Sequence, residues 1–300
     1  MSSFQLRSAL PTDGQAVADV VMAMDIAILG HTDYSLVELE EEWRLLDVER
    51  DAWVVVDKQE RVVGYGTLEL QDGVAHTDGY VHPEAWGRGA GALLISSLEA
   101  ETRRRGSSRV QTATLALDAR AQELLRGYGY AEIRRFWQMR IDLTEAPPPP
   151  GWPPEISATT FDVADAVAFH AALDAAFADH WNHTPEPFAE FSRQYLQNDG
   201  FDPGLCTVVR AGGEIVAGTV CMPERLGVGW VSRLFTVREW RGRGIGAALL
   251  ADAFGRFWQG GRRSVGLGVD AQNDTGAQRL YERAGMRVHL AAVVFERSLA

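Results

Sequence analysis

One pattern occurs twice in this chain and limits what it can fold into. Tyr80-Val-His-Pro-Glu-Ala-Trp-Gly-Arg-Gly-Ala-Gly-Ala-Leu-Leu94 matches Phe235-Thr-Val-Arg-Glu-Trp-Arg-Gly-Arg-Gly-Ile-Gly-Ala-Ala-Leu249, 155 residues further on. Gly89 and Gly91 thus stand where Gly244 and Gly246 stand. Each copy joins an apolar strand to an apolar helix through alternating Arg and Gly. Glycines let a backbone approach an anion closely, the first helical N–H groups lack intrahelical partners, and the helix dipole favours negative charge there. In the second copy Arg241 and Arg243 add formal charge. The match continues downstream, where Leu124 to Tyr130 corresponds to Leu280 to Met286, with Gly129 opposite Gly285. Self-similarity on this scale implies a tandem duplication.

Thr144-Glu-Ala-Pro-Pro-Pro-Pro-Gly-Trp-Pro-Pro154 lies between the copies. Its prolines cannot join a helix or a central strand and favour an extended spacer. The expected organisation is a first domain at 1–143, a linker at 144–154 and a second domain at 155–300. Periodicity predicts the same order of elements in both halves. In the second, strands are expected at Ile156 to Phe161, Leu205 to Arg210, Ile215 to Cys221, Val228 to Val237, Ser264 to Val269 and Arg287 to Glu296, with helices over Val163 to Phe177, after Pro185, after Gly244 and over Thr275 to Ala284. Turn signals at Gly212-Gly213 and Gly227 suggest antiparallel pairing. The first half offers Trp53 to Val56, Val62 to Leu70, Val74 to Val81, Val110 to Leu117 and Trp137 to Ile141 as strands. The class is mixed α/β, an α+β arrangement with a mostly antiparallel sheet flanked by helices in each half.

A formal charge of −12 speaks against nucleic acid as a partner, since phosphate neutralisation needs a basic face. Asp19 and Asp25 interrupt the longest apolar stretch near the start, and no leader-like pattern precedes it, so no membrane partner is expected and cytoplasmic residence follows. Cys206 and Cys221 fall in strand-like runs and read as small buried hydrophobes rather than a redox pair. No metal-ligand spacing occurs, and no metal is expected.

Several elements of the second copy agree in order and spacing: the Arg-Gly turn, the strand Ser264 to Val269, then Asp270-Ala-Gln-Asn273, then Leu280-Tyr281. This combination resembles the GNAT acetyltransferase superfamily, in a form with two GNAT domains in one chain, and more distantly the mycothiol-synthase-like enzymes, which also pair two such domains. A dinucleotide-binding unit is the rival, because Gly242, Gly244 and Ala247 fit G-x-G-x-x-A and Asp270 ends the next strand. That motif should open from the first strand of its domain, whereas several strands precede it here.

The resemblance implies acetyl-CoA as acyl donor and a primary amine of a small molecule as acceptor. Backbone groups of Phe235, Thr236 and Val237 would meet the pantetheine arm, and Arg241, Gly242, Arg243, Gly244, Ile245, Gly246 and Ala247 would wrap the pyrophosphate. Tyr281 would act as general acid toward the leaving thiolate. Asn273 would contact the coenzyme or cap the following helix. Many members carry a Glu on the strand before the turn, but Gly227 to Val237 holds no carboxylate. His180 and His183, Glu224, or a water relayed through Ser232 or Thr236 are the candidate bases. His180, Trp181 and His183 are also candidates for contacting the acceptor.

The first copy departs from the pattern. Trp86 replaces the turn Arg, Leu125 stands for Tyr281, and Asp118-Ala-Arg120 occupies the place of the Asn. A degenerate first domain supporting a catalytic second one is the expected division. The alternatives are a mycothiol-synthase-like enzyme and an acyl-CoA-binding module without turnover. A monomer or homodimer is expected.

Overall fold

Apolar runs become strands and helices close to where alternation and periodicity place them. The computed structural model describes residues 3–32, 34–178, 184–225, 227–273 and 276–299. The first half runs β1 (Phe4–Ser8), α1 (Gly14–Leu29), α2 (Leu36–Trp43), α3 (Val48–Asp51), β2 (Ala52–Asp57), β3 (Val62–Gln71), β4 (Val74–Val81), α4 (Ala90–Arg104), β5 (Arg109–Leu115), α5 (Ala119–Gly127) and β6 (Ala131–Asp142). The second runs β7 (Ser157–Thr160), α6 (Ala166–Phe177), α7 (Phe188–Phe191), β8 (Thr207–Ala211), β9 (Glu214–Arg225), β10 (Val228–Thr236), α8 (Ile245–Gln259), β11 (Ser264–Asp270), α9 (Ala277–Arg283) and β12 (Arg287–Ser298). The end of α1 shows the local logic. Gly30 adopts φ +82°, which a glycine tolerates without strain, and returns its N–H to the Ile26 carbonyl at 2.9 Å.

The compact units do not divide at the Pro-rich segment. One consists of 1–135 with 291–300, the other of 136–290. In the first unit the strand order is β1-β2-β3-β4-β5-β12, antiparallel except for the parallel pair β4/β5. In the second it is β6-β11-β10-β9-β8-β7, with β10/β11 parallel. The expectation that Arg287 to Glu296 completes the second half, and Trp137 to Ile141 the first, is therefore corrected: each half ends in a strand that belongs to the other unit's sheet.

Burial holds these strands in place. In the first unit Val293 and Phe295 of β12 are fully buried with Leu94, Leu98 and Val110. Arg297 reaches the buried Glu99 on α4 at 2.5 Å, and Glu296 accepts from Arg109 and Gln111, both at 2.7 Å. In the second unit Met139 of β6 is fully buried among Phe257, Val265 and Leu267. The Leu143 N–H beyond it donates to Arg263 O at 2.7 Å. Both cysteines are buried and unbridged, and the Cys221 N–H donates to Cys206 Sγ at 3.3 Å. Burial raises the Cys206 thiol to about 12, so it is inert as a nucleophile.

Phe295→Ala therefore removes a fully buried ring and should cost about 3–5 kcal/mol. The loss should appear as faster amide exchange in β3, β4 and β5 of the first unit, although Phe295 belongs to the second repeat. Destabilisation confined to β8–β10 would contradict the strand assignment.

Candidate active site

The site of the second unit begins as an opening between two parallel strands. β10 continues to Thr236 and β11 to Asp270, yet they pair only from Gly229–Val231 to Val265–Leu267. Each keeps its other neighbour to the end: Thr236 stays opposite Ala217 on β9, and Asp270 opposite Phe136 on β6. From Ser232 onward, one edge of β10 faces a cleft instead of a strand. Such an edge presents main-chain donors and acceptors to an extended ligand.

Ser232 is an extra residue. On β10, Val231 pairs with Cys221 and Arg233 with Val220, leaving Ser232 unmatched as a bulge. In the first unit β4 runs against β3 without interruption from Val74↔Gln71 to Val81↔Gly64. β4 also parts from β5 after Thr77. Both units thus open in the same place, but only β10 is bulged there. The strand registers place the insertion: the offset between copies is 154 at Ala75 and Gly229 and 155 from Tyr80 and Phe235 onward.

Past Val237 the chain makes the Arg-Gly turn. Gly242 and Gly244 adopt φ +76° and +82°, and Gly244 caps the 15-residue α8. A Cβ on either glycine would meet nothing within 4 Å, so this face of the turn is open. The N–H groups of Ile245, Gly246 and Ala247 form the first turn, where no acceptor lies within the helix. Together these features suit a phosphate. Gly246 does something different: a Cβ there would lie 3.0 Å from Leu280 Cδ2, so its lack of a side chain lets α9 approach the start of α8. The equivalent Gly91 meets Leu124 Cδ2 at 2.9 Å.

Arg241 anchors the turn. Its Nε donates to Thr236 O at 3.1 Å and its Nη2 to Ala176 O, at the end of α6, at 2.8 Å. Trp86 takes over the first of these bonds in the other unit, donating Nε1–H to Val81 O at 2.8 Å while Arg120 lies 3.2 Å over its ring. Arg243 stacks on Trp240 at 4.4 Å and donates to Glu239 O at 3.3 Å.

Tyr281 lies on α9, buried among the residues of the second core. Burial pushes its phenol up to about 12, keeping it protonated across the physiological range. Leu125 is equally buried in the corresponding place. Asn273 is not the cap of α9. Gly276 holds that position, and Asn273 sits earlier, in a turn where its N–H donates to Asp270 O at 3.1 Å. Glu224, a candidate base, is exposed and ion-paired with Arg262 at 2.5 Å. His180, Trp181 and His183 lie outside the described residues. Among the described residues, no group of His, Cys, Asp and Glu is placed to hold a metal ion, and no helix is long and apolar enough to cross a membrane.

A splayed parallel pair followed by a phosphate-suited turn, present twice, defines an acyl-CoA-dependent transferase. The profile of the acetyltransferase (GNAT) family matches residues 21–130 and again 168–286. The chain belongs to that family and is a GNAT-type N-acetyltransferase. It is 31% identical over 230 residues to the mycothiol acetyltransferase of Arthrobacter sp. (strain FB24), covering 73% of this chain and 68% of that protein. It is 30% identical over 262 residues to the mycothiol acetyltransferase of Acidothermus cellulolyticus, covering 81% and 78%. Among solved structures, the GCN5-related N-acetyltransferase from Sphaerobacter thermophilus superposes with a TM-score of 0.88 at 32% identity, over 99% of this chain and 96% of that one.

Two substitutions test the turn's internal ties. Trp86→Phe keeps the ring but strands the Val81 carbonyl, and should cost about 1–2 kcal/mol. Arg241→Ala loses two charge-assisted bonds and should cost more, about 2–4 kcal/mol, as read by urea unfolding. Equal costs would mean that the Ala176 bond adds nothing.

Proposed function

We propose that the second repeat carries the chemistry, transferring the acetyl group of acetyl-CoA to a primary amine, and that the enzyme is of the mycothiol-acetyltransferase type. The observation that supports the first part most is the asymmetry of the two copies. They share the splay and the glycine turn, but only the second combines the Ser232 bulge, Arg241 and the phenol of Tyr281. The 1–143 repeat is the degenerate partner. Relatives of about 30% identity that span most of both halves support the second part.

In this reading Gly242, Gly244 and the N–H groups of Ile245, Gly246 and Ala247 hold the coenzyme's pyrophosphate, while Arg243 adds charge and Arg241 fixes the turn. Asn273 contacts the coenzyme from the β11 side. The open edge of Phe235, Thr236 and Val237 pairs with the pantetheine arm and aligns the thioester with the cleft. A backbone N–H of the unpaired stretch after Ser232 stabilises the oxyanion that forms when the amine nitrogen attacks the thioester carbonyl. As the C–S bond breaks, Tyr281 gives its proton to the departing sulfur and later regains one from solvent. The proton lost by the amine leaves through water near Ser232 and Thr236, or through His180 or His183 of the acceptor loop. That loop, with Trp181, positions the acceptor.

Replacing Gly244 with Val puts a β-branched side chain at φ +82° and on the open face of the turn, so acetyl-CoA affinity by calorimetry should fall by at least about tenfold in a folded variant. Unchanged affinity would remove the turn from the donor site. Tyr281→Phe should lower kcat by about 10²–10⁴-fold. Because the acid must be protonated and burial raises it to about 12, the kcat/KM profile should show no descending limb from this phenol below about pH 10. Acceptor identity is read from thiol release with a panel of amines. Preference for cysteinyl-glucosaminyl-inositol supports the mycothiol type, and preference for an unrelated small amine leaves the transferase reading intact while removing that assignment.

A further inference from the structure

The Ser232 bulge decides which way the next charged side chain of β10 points. Gly229 faces α8, since a Cβ there would lie 2.6 Å from Phe257 Cδ1. Successive residues of a strand alternate, so Val231 faces α8 as well, and Arg233 and Phe235 would follow it in an unbroken strand. The extra residue reverses that phase. Phe235 packs instead on Phe169 of α6 at 5.1 Å, and Arg233, two residues before it, has its guanidinium 6.0 Å over the ring of Tyr195. Tyr195 comes from a π-helical turn, Ser192–Leu196, that continues α7. Bulges and π-turns both concentrate at functional sites, and here one of each brings its residue to the same spot. Trp230, on the same face, lies toward β11 where the strands open: a Cβ on Gly266 would be 2.8 Å from its indole and one on Gly268 4.0 Å. Arg225, at the end of β9, stands over that indole at 5.2 Å.

Neither guanidinium is answered by a carboxylate. Arg233 is half-buried, and its one hydrogen bond runs to the carbonyl of its neighbour Ser232 at 3.1 Å. Arg225 is exposed, and among the described residues neither arginine forms an ion pair. Burial raises the Tyr195 phenol between them, Arg233 and Arg225 oppose that rise, and Glu186 is the one carboxylate that adds to it. In a chain of formal charge −12, two such arginines at one opening reverse the local sign. The repeat itself does not ask for a cation there, because Asp78 stands at the matching position of the first unit. A partly buried charge is normally paired, so the counter-charge missing from the protein is suited to a ligand.

We propose that Arg233, with Arg225, binds a carboxylate beside the cleft of the second unit, and that amines also bearing an acid are a further class of acceptor. The planar guanidinium matches a carboxylate with two parallel hydrogen bonds. α6 and α7, which Arg233 faces, flank the 178–187 segment that carries the acceptor loop in the reading above. The acceptor class rests on that reading, whereas the carboxylate site does not. The transfer itself is unchanged: the amine nitrogen bonds to the acetyl carbon as the C–S bond breaks, the amine gives up one proton and the sulfur gains one, leaving an N-acetylated acid and coenzyme A.

Calorimetric titration of the full chain with N-acetylserine and its neutral counterpart N-acetylserinamide reads the site without turnover. The acid should bind at least about tenfold more tightly. Arg233→Met, which keeps an apolar stem over Tyr195 but no charge, should remove that difference, and Arg225→Met should reduce it. With acetyl-CoA supplied, serine should be acetylated with a kcat/KM at least about tenfold above that of ethanolamine, which has the same chain without the acid. No binding of N-acetylserine up to about 10 mM, equal binding of the two compounds, or wild-type discrimination in folded Arg233→Met would each overturn the carboxylate site. Should that variant fail to fold, Arg225→Met decides in its place. Preferential binding of N-acetylserine without acetylation of serine would keep the site and remove the acceptor class, and turnover of other amines in the same assay separates that result from a failure of the transferase reading.

Discussion

Everything about the cleft depends on how the parallel strand on its far side is held. A parallel strand that leaves its neighbour halfway along must be fixed from the opposite flank, or its main-chain groups would close the gap. In the second unit β6 does this, pairing with β11 residue for residue from Ser264 to Asp270 while β10 diverges. In the first unit β12 does the same for β5. Each holding strand comes from the other half of the chain, and its apolar side chains, Met139 in one case and Val293 and Phe295 in the other, are buried completely in the unit that receives them.

On that shared frame a few side chains distinguish the two units. One carbonyl at the end of the strand before the turn is bonded by an arginine in one unit and by an indole in the other, so the turn keeps its shape while its charge changes. A single inserted residue bulges β10 but not β4. The helix after the parallel strand offers a buried phenol in one unit and a leucine in the other. These differences are confined to the turn, the bulge and the helix after the parallel strand, while both units keep the same opening.

The turn, its two copies and the order of elements were legible in the sequence because they rest on local rules: glycine at positive φ, apolar periodicity and repetition. The Ser232 bulge was not legible there, since the one-residue change in offset follows from the strand registers. The exchange of last strands was not either. Ala131–Asp142 and Arg287–Ser298 are repeat equivalents of the same length, so local patterning cannot say which sheet each one enters. Short-range context misled once more. Asn273 reads as a helix cap until Gly276 is seen in that role.

The exchanged strands also say what a lone copy of this repeat would face. Paired as here, with its last strand given to the other copy, it would carry a vacant edge and a surplus strand at once. Two such copies relieve each other, as in domain-swapped dimers. Joining the copies through the Pro-rich segment turns that bimolecular encounter into one between parts of a single chain, at the effective concentration set by the tether rather than by how much protein the cell makes. It also removes the need for the two copies to stay alike. Once each is guaranteed its partner, the two sequences can diverge, as the turn, the bulge and the helix after the parallel strand have done.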